Sequence, residues 1–147
     1  MRYKAGKKHP QFIKVVDGCK LKSGLEVYAY KKLKENMLMF KYEPHTFELI
    51  GGFVANTEAY EPDGRADSGL LEKHTNKMQS IKYTPDFVSD NGKWIIETKG
   101  RANESFPMRW KLFRKYILEH GLNYTLFKPK NQKQVDQAIN IIKQNGW

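Results

Sequence analysis

The stretch from Tyr83 to Gly100 constrains the fold of this chain more than any other. Tyr83-Thr84-Pro85-Asp86-Phe87-Val88 and Lys93-Trp94-Ile95-Ile96-Glu97-Thr98-Lys99-Gly100 are apolar runs of strand length on either side of Ser89-Asp90-Asn91-Gly92. Two such runs around a turn-forming cluster read as a β-hairpin, and Asn91-Gly92 tolerates the positive φ that tight turns need. Side chains alternate along a strand, which puts Glu97 and Lys99 on one face with Ile95 and leaves Trp94, Ile96 and Thr98 to the other. With Ser89–Gly92 as a four-residue loop, Asp86 stands opposite Ile95, on the face of Glu97 and Lys99 and diagonal to Glu97 at roughly 7–8 Å. A loop one residue longer or shorter would turn Asp86 to the wrong face.

Two carboxylates and an ammonium thus converge on one patch of an apolar hairpin. Two acidic oxygen ligands suit a hard divalent cation such as Mg²⁺. Such a cation polarises a phosphoryl oxygen and lowers the pKa of a bound water. A lysine beside it can orient or deprotonate that water and offset charge building on a phosphate. The same residues also suit an exposed strand of alternating charge, with Glu97 and Lys99 merely solvated.

Pro85-Asp86, followed eleven residues later by Glu97-Thr98-Lys99, resembles the PD-(D/E)XK nuclease signature. With Ser23-Gly24-Leu25-Glu26 ahead of it, the pattern is similar to the bacteriophage junction-resolving endonuclease I family and to small phage-encoded nuclease-like proteins of that superfamily. The motifs run from Ser23 to Gly100 and the likeness continues more loosely to about Phe127. The resemblance implies a restriction-endonuclease-like fold and a metal-dependent DNA endonuclease, structure-selective for branched DNA as a Holliday junction resolvase is. Asp86 and Glu97 would ligate one or two Mg²⁺ ions with help from the Thr98 carbonyl, Mn²⁺ being expected to substitute. Lys99 would position the attacking water, and Glu26 would complete a second metal site or orient water through it. A catalytically silent nucleic-acid-binding protein, or a phage assembly protein on the same scaffold, is the alternative.

Charge supports a polyanionic partner. The chain of 147 residues carries a net +10 with pI ≈ 9.6, which favours nucleic acid first and an anionic membrane second; that the nucleic acid is DNA, double-stranded or branched, is what the resemblance implies. Cys19 is the single cysteine, excluding an internal disulfide or a cysteine-rich zinc site and suiting a reducing compartment. No long apolar segment and no signal peptide is visible. The expectation is one cytoplasmic domain over residues 1–147, in the host cytoplasm if phage-encoded, with a homodimer possible in principle.

Along the chain, Met1–Pro10 with Arg2, Lys4, Lys7 and Lys8 is expected to be a mobile basic arm. Gln11–Val16, Asp17-Gly18 and Cys19–Leu21 read as a short hairpin. A helix is expected from Ser23 to about Asn36, with Leu25, Ala29 and Leu33 on one face. Ser23 and Glu26 form a capping box, so the Glu26 carboxylate could simply cap the Ser23 amide; in the family it resembles, this glutamate faces the metal site.

Met37–Leu49 should hold the first core strand, anchored by Phe40, Tyr42 and Phe47, with Pro44 marking an irregularity. The resolvase family has a further acid here; its position falls on Lys41, with Glu43 one pleat step along the same face. His45 reads as a surface or hydrogen-bonded histidine. Residues 51–80 hold five acids (Glu58, Glu61, Asp63, Asp67, Glu72) against three bases, a net of −2 that leaves +12 for the remainder; they are an extended hairpin, a lid or a dimerisation arm. Phe106, Trp110, Phe113 and Ile117 follow helical spacing, with Ser105 able to cap the start and Gly121 the end. Arg109, Lys111, Arg114 and Lys115 lie off that stripe, as DNA-binding candidates or as a solvated face. Tyr124–Phe127 reads as a strand stopped by Pro129, and Val135, Ala138, Ile139 and Ile142 define a last helix. The order is α-β-β-β-α-β-α, an α/β sandwich around a central mixed β-sheet flanked by helices.

Overall fold

The computed structural model describes residues 11–62, 69–73 and 76–147. The expected basic arm of Met1–Pro10, and the acids Asp63 and Asp67, lie outside the described residues.

The chain opens with β1 (Lys14–Val16) and β2 (Cys19–Leu21), an antiparallel hairpin pairing Val16 with Cys19. Asp17 and Gly18 both have positive φ, 47° and 78°, as a two-residue type I′ turn requires. Leu21, fully buried, pins this hairpin to the core. Helix α1 (Gly24–Glu35) follows, with Ser23 as N-cap accepting from the Glu26 N–H. Its buried residues include Val27, Ala29, Tyr30 and Leu33.

The centre is a four-stranded mixed sheet built from β3 (Phe40–Tyr42), β10 (Phe87–Ser89), β11 (Trp94–Ile96) and β12 (Thr125–Phe127), in the spatial order β12-β11-β10-β3. Between β3 and β10 lie β4 (Phe47–Ile50), β5 (Phe53–Ala55), β6 (Ala59–Pro62), β7 (Leu70–Lys73), β8 (Asn76–Met78) and β9 (Ile81–Tyr83). After β11 comes α2 (Phe106–Glu119), and α3 (Gln132–Gln144) follows β12. The parallel β11–β12 pair is joined through α2, the usual way for a crossover to return in the same direction. Helices and central strands thus alternate α-β-β-β-α-β-α, and the chain is an α/β protein.

Alternation along the sheet separates two cores. Phe87, Trp94 and Ile96 face α1 and α3, packing with Leu33, Val135 and Ile142. Val88 and Ile95 face the other way, onto Phe106, Trp110, Phe113 and Ile117 of α2. All four residues of the expected α2 stripe are buried, as are Val135, Ala138, Ile139 and Ile142 of α3. Ser105 makes no side-chain cap; the Asn103 carboxamide oxygen takes that role, accepting from the Phe106 N–H at 2.9 Å.

Met37–Leu49 forms two strands instead of one. Glu43 turns through a left-handed φ of 44°, and Pro44 has no N–H to extend a ladder. β3 therefore stays as the edge of the central sheet, while β4 leaves to pair with β9. Within residues 51–80 the described strands pair as an extended hairpin. β4 pairs with β9, β5 with β8 and β6 with β7, all antiparallel. The pairing slips by one residue after Glu48 and again between Ala55 and Ala59. This makes one long two-stranded ribbon whose base, at Phe47 and Tyr83, is buried against α2.

Candidate functional site

The acidic pair owes its position to the β10–β11 register. Phe87 pairs with Ile96 and Val88 with Ile95, and one step outward Asp86 stands opposite Glu97. The expected pairing of Asp86 with Ile95 is thus corrected by two residues. The reason lies in Ser89, whose buried hydroxyl accepts from the N–H groups of Lys93 at 2.9 Å and Trp94 at 3.0 Å. Ser89 thereby belongs to the strand, and the turn is Asp90–Lys93. A two-residue shift leaves every side chain on its own face, so the two carboxylates still converge, directly across the strands.

Both acids are buried, Asp86 at 8% exposure and Glu97 at 5%. Asp86 Oδ2 accepts from the Thr98 N–H at 2.8 Å and the Thr98 hydroxyl at 2.6 Å. Glu97 Oε2 accepts from the Tyr83 hydroxyl at 2.7 Å and the Asp86 N–H at 3.3 Å. Among the described residues no hydrogen bond reaches Asp86 Oδ1 or Glu97 Oε1, yet no fully buried side-chain oxygen is left without a partner. These two oxygens therefore meet open space.

Burial, then the charge of Glu97, pushes the Asp86 carboxyl well above the usual carboxylate range, with the Thr98 hydroxyl working against the shift. Burial also raises Glu97, opposed by the Tyr83 hydroxyl and the Lys99 ammonium. Tyr83, raised far above the usual phenol range mainly by burial, stays protonated as a fixed donor to Glu97. Two like charges in so dry a place are unfavourable unless a proton or a cation sits between them.

The open space is a cavity of about 640 Å³ lined by Glu26, Glu43, Asp86, Glu97 and Lys99. Lys22, Lys82, Arg101 and Arg109 line it as well, so an acidic floor is ringed by cations. Lys99 leans over the Phe106 ring, its ammonium 4.8 Å from the centroid.

Glu26 reaches the cavity but is already engaged. Its Oε2 accepts from the Lys22 N–H and the Tyr42 hydroxyl, each at 2.7 Å, and its Oε1 from the Ser23 hydroxyl at 3.2 Å. The capping box is real in one direction, with Ser23 Oγ accepting from the Glu26 N–H at 3.1 Å. The return bond goes to the Lys22 amide, one residue before the cap. Glu43 also lines the cavity: its N–H donates to the Asp86 carbonyl at 2.8 Å and its carboxylate pairs with the Lys22 ammonium. A left-handed backbone is costly for glutamate, and Glu43-Pro44 is the one sequence hint of that break. Lys41, at the position where the family pattern has its acid, lines a different depression with Tyr30 and Phe40.

Two carboxylates with one free oxygen each fit a small hard cation that keeps several waters. Among the described residues no three His, Cys, Asp or Glu side chains are grouped to hold a metal ion, so the donor set is Asp86 and Glu97, with the Thr98 carbonyl adjacent in sequence. Of the basic residues expected on α2, Arg109 lines the cavity and Arg114 a neighbouring groove. Lys111 and Lys115 are exposed, and Lys115 pairs with Glu119 at 3.3 Å. His45 is exposed and packs edge-on against Phe47. Sequence reasoning missed Lys22, Lys82 and Arg101, although Arg101 directly follows Gly100. Among the described residues no helix is long and apolar enough to cross a membrane.

No curated protein and no solved structure matches this chain. Residues 2–133 match the model of a family described as a protein of unknown function, DUF1064. That stretch holds every residue of the cavity, from Lys22 to Arg109, and most of the sequence: the chain belongs to the DUF1064 family.

Proposed function

We propose that this chain is a metal-dependent DNA endonuclease on a restriction-endonuclease-like sandwich. The observation that carries the proposal is the buried Asp86–Glu97 pair. Each carboxylate is held by one oxygen and presents the other to a cavity ringed by Lys22, Lys82, Lys99, Arg101 and Arg109. A structural ion pair would bury opposite charges; here like charges are buried together at the floor of a basic cleft, an arrangement that suits cation and phosphate. The α-β-β-β-α-β-α order, with helices on both sheet faces, supports the fold.

Asp86 and Glu97, with the Thr98 carbonyl, would hold Mg²⁺ or Mn²⁺. Such an ion, when bound, polarises the phosphoryl oxygens and acidifies water. Thr98 and Tyr83 fix the rotamers of the two carboxylates and so aim their free oxygens. Lys99 places its ammonium at the cavity wall, where it orients a water for in-line attack and offsets charge on the phosphorane-like transition state. The oxygen of the attacking water bonds to phosphorus as its proton passes to solvent, the bond to the opposite ester oxygen breaks, and that oxygen leaves with a proton from solvent. Arg101 and Arg109 grip flanking phosphates, which positions the strand without reading its sequence. Glu26 orients Tyr42 and the Lys22 segment and adds negative potential at the site. Branched DNA is the favoured substrate by the resolvase resemblance.

Purified protein is incubated with linear, nicked, flapped and four-way DNA in Mg²⁺ or EDTA and resolved on gels. Cleavage in Mg²⁺ alone, lost in Asp86→Asn and Glu97→Gln, is the expected result. Binding to all forms without cleavage in Mg²⁺ would refute the enzyme and leave the catalytically silent nucleic-acid-binding protein in its place.

A further inference from the structure

A second groove, of about 570 Å³, lies between the C-terminal half of α2 and β12. Leu118, Leu122, Tyr124 and Leu126 give it apolar side chains, and Arg114 and Lys128, both exposed, give it cations. Leu118 is 81% exposed, an odd choice for a solvated helix position. The groove adjoins the carboxylate cavity: Trp110 of the groove stacks on Phe106 of the cavity, their centroids 6.1 Å apart. The Lys128 ammonium lies 5.4 Å from the Trp110 centroid and 5.9 Å from that of Phe106. Phe106 is also the ring beneath Lys99 of the cavity.

We infer that this groove binds a single-stranded segment of nucleic acid leading to or from the carboxylate cavity. A duplex presents its phosphates outward and hides the faces of its bases, so cations alone would suffice to hold it. A single strand offers phosphates to Arg114 and Lys128 and unpaired bases to Trp110 and Tyr124, the two rings of the lining, the pairing of cations and ring surfaces that single strands need. These cations and the net +10 of the chain match a polyanion. The inference rests on the nucleic-acid reading of the neighbouring cavity, and extends it to strands unpaired beside the cleavage point.

The test uses the full chain in EDTA, so that binding is read without turnover. The probes are a fluorescein-labelled thymidine oligonucleotide of about 15 nucleotides, within the span of known single-strand sites, and a fully paired hairpin of equal charge. Wild type should bind the oligonucleotide more tightly. Leu118→Glu, at an exposed position that leaves folding intact, should lower that affinity at least about 5-fold, as a base loses its apolar contact and the strand's phosphates meet a like charge, while Leu118→Lys preserves it. Hairpin affinity should be unchanged in both. Equal loss on both probes, no loss on either, or displacement by polyglutamate as effective as by unlabelled oligonucleotide overturns the inference. So does a change of oligomeric state with Leu118→Glu in light scattering, which would make the groove a contact between copies. Oligonucleotide binding that follows this pattern in a protein that cleaves nothing in Mg²⁺ upholds the groove and removes the enzyme.

Discussion

Removing one charge from the acidic pair should stabilise the protein while abolishing its response to metal. In Asp86→Asn the carboxamide oxygen still accepts from the Thr98 N–H and hydroxyl, which now stand at 2.8 and 2.6 Å from Oδ2, so the geometry is kept and the repulsion is lost. Directly opposed residues of an antiparallel pair hold their Cβ atoms about 5 Å apart, and at an effective dielectric of about 20 two charges at that distance repel by roughly 3 kcal/mol. Protonation already relieves part of this in the wild type, leaving a gain of about 1–3 kcal/mol, or roughly 3–10 °C in Tm for a chain of this size.

The pH dependence follows from the direction of the shift. Raised carboxyl pKa values mean that the folded protein keeps protons that the unfolded chain has released. Wild-type stability therefore falls as pH rises above the ordinary carboxylate value of about 4, until the folded values are passed. The melting gap should widen over that window and then level off. Mg²⁺ at tenfold excess over its Kd adds about 1.4 kcal/mol to any state that binds it, and should raise the wild type alone. Thermal melts from pH 5 to pH 8, in EDTA and in Mg²⁺, measure all of this. A variant that melts below wild type at pH 7.5 in EDTA, or that gains as much from Mg²⁺, refutes the account of the pair.

Three further outcomes are expected. Glu26→Gln, which keeps an acceptor for Tyr42 or Lys22, should lose cleavage with little change in Tm, whereas Glu26→Ala leaves both donors unpaired and costs about 1–3 kcal/mol; full activity in the Gln variant would make Glu26 a cap alone. Arg109→Ala should flatten the log–log dependence of duplex affinity on salt by about 0.9, and an unchanged slope in a salt titration would take this residue off the phosphate path. Asn103→Ala removes the α2 cap at Phe106 and should cost about 1 kcal/mol in urea unfolding; Ser105→Ala, at a residue making no cap bond, should cost far less.

How much was legible in the sequence depended on how local the deciding interaction was. The faces of the Tyr83–Gly100 hairpin were readable because alternation is a backbone property, and the α2 and α3 stripes because periodicity survives any packing. The register was not, because one hydroxyl, that of Ser89, moves the turn by a residue. Ser105 and Asn103 are both good caps by type, and only the φ and ψ of the loop choose between them. The division of Met37–Leu49 into β3 and β4 turns on the strained backbone of Glu43. That same strain carries Glu43 into the cavity while Lys41 points into another depression. Asp86, Glu97 and Lys99 line one cavity because alternation puts them on one face, while Glu26 lines it too but is committed to Tyr42, Ser23 and Lys22.

The long ribbon also sets how this chain can fold. Neighbouring strands β3 and β10 are separated by more than forty residues of sequence, a span whose closure in a flexible chain is slow and entropically costly. If pairing begins where Pro62 meets Leu70, each further pair is closed by the one before it, down to Phe47 and Tyr83. Once zipped, it brings Thr46 and Thr84 together, their hydroxyls 2.6 Å apart, and the remaining gap between the two core strands is only a few residues. The excursion thus acts as its own chaperone. Cutting it short above Phe47–Tyr83 with a tight turn should speed folding without altering the sheet, whereas mispairing within it would strand β3 away from β10.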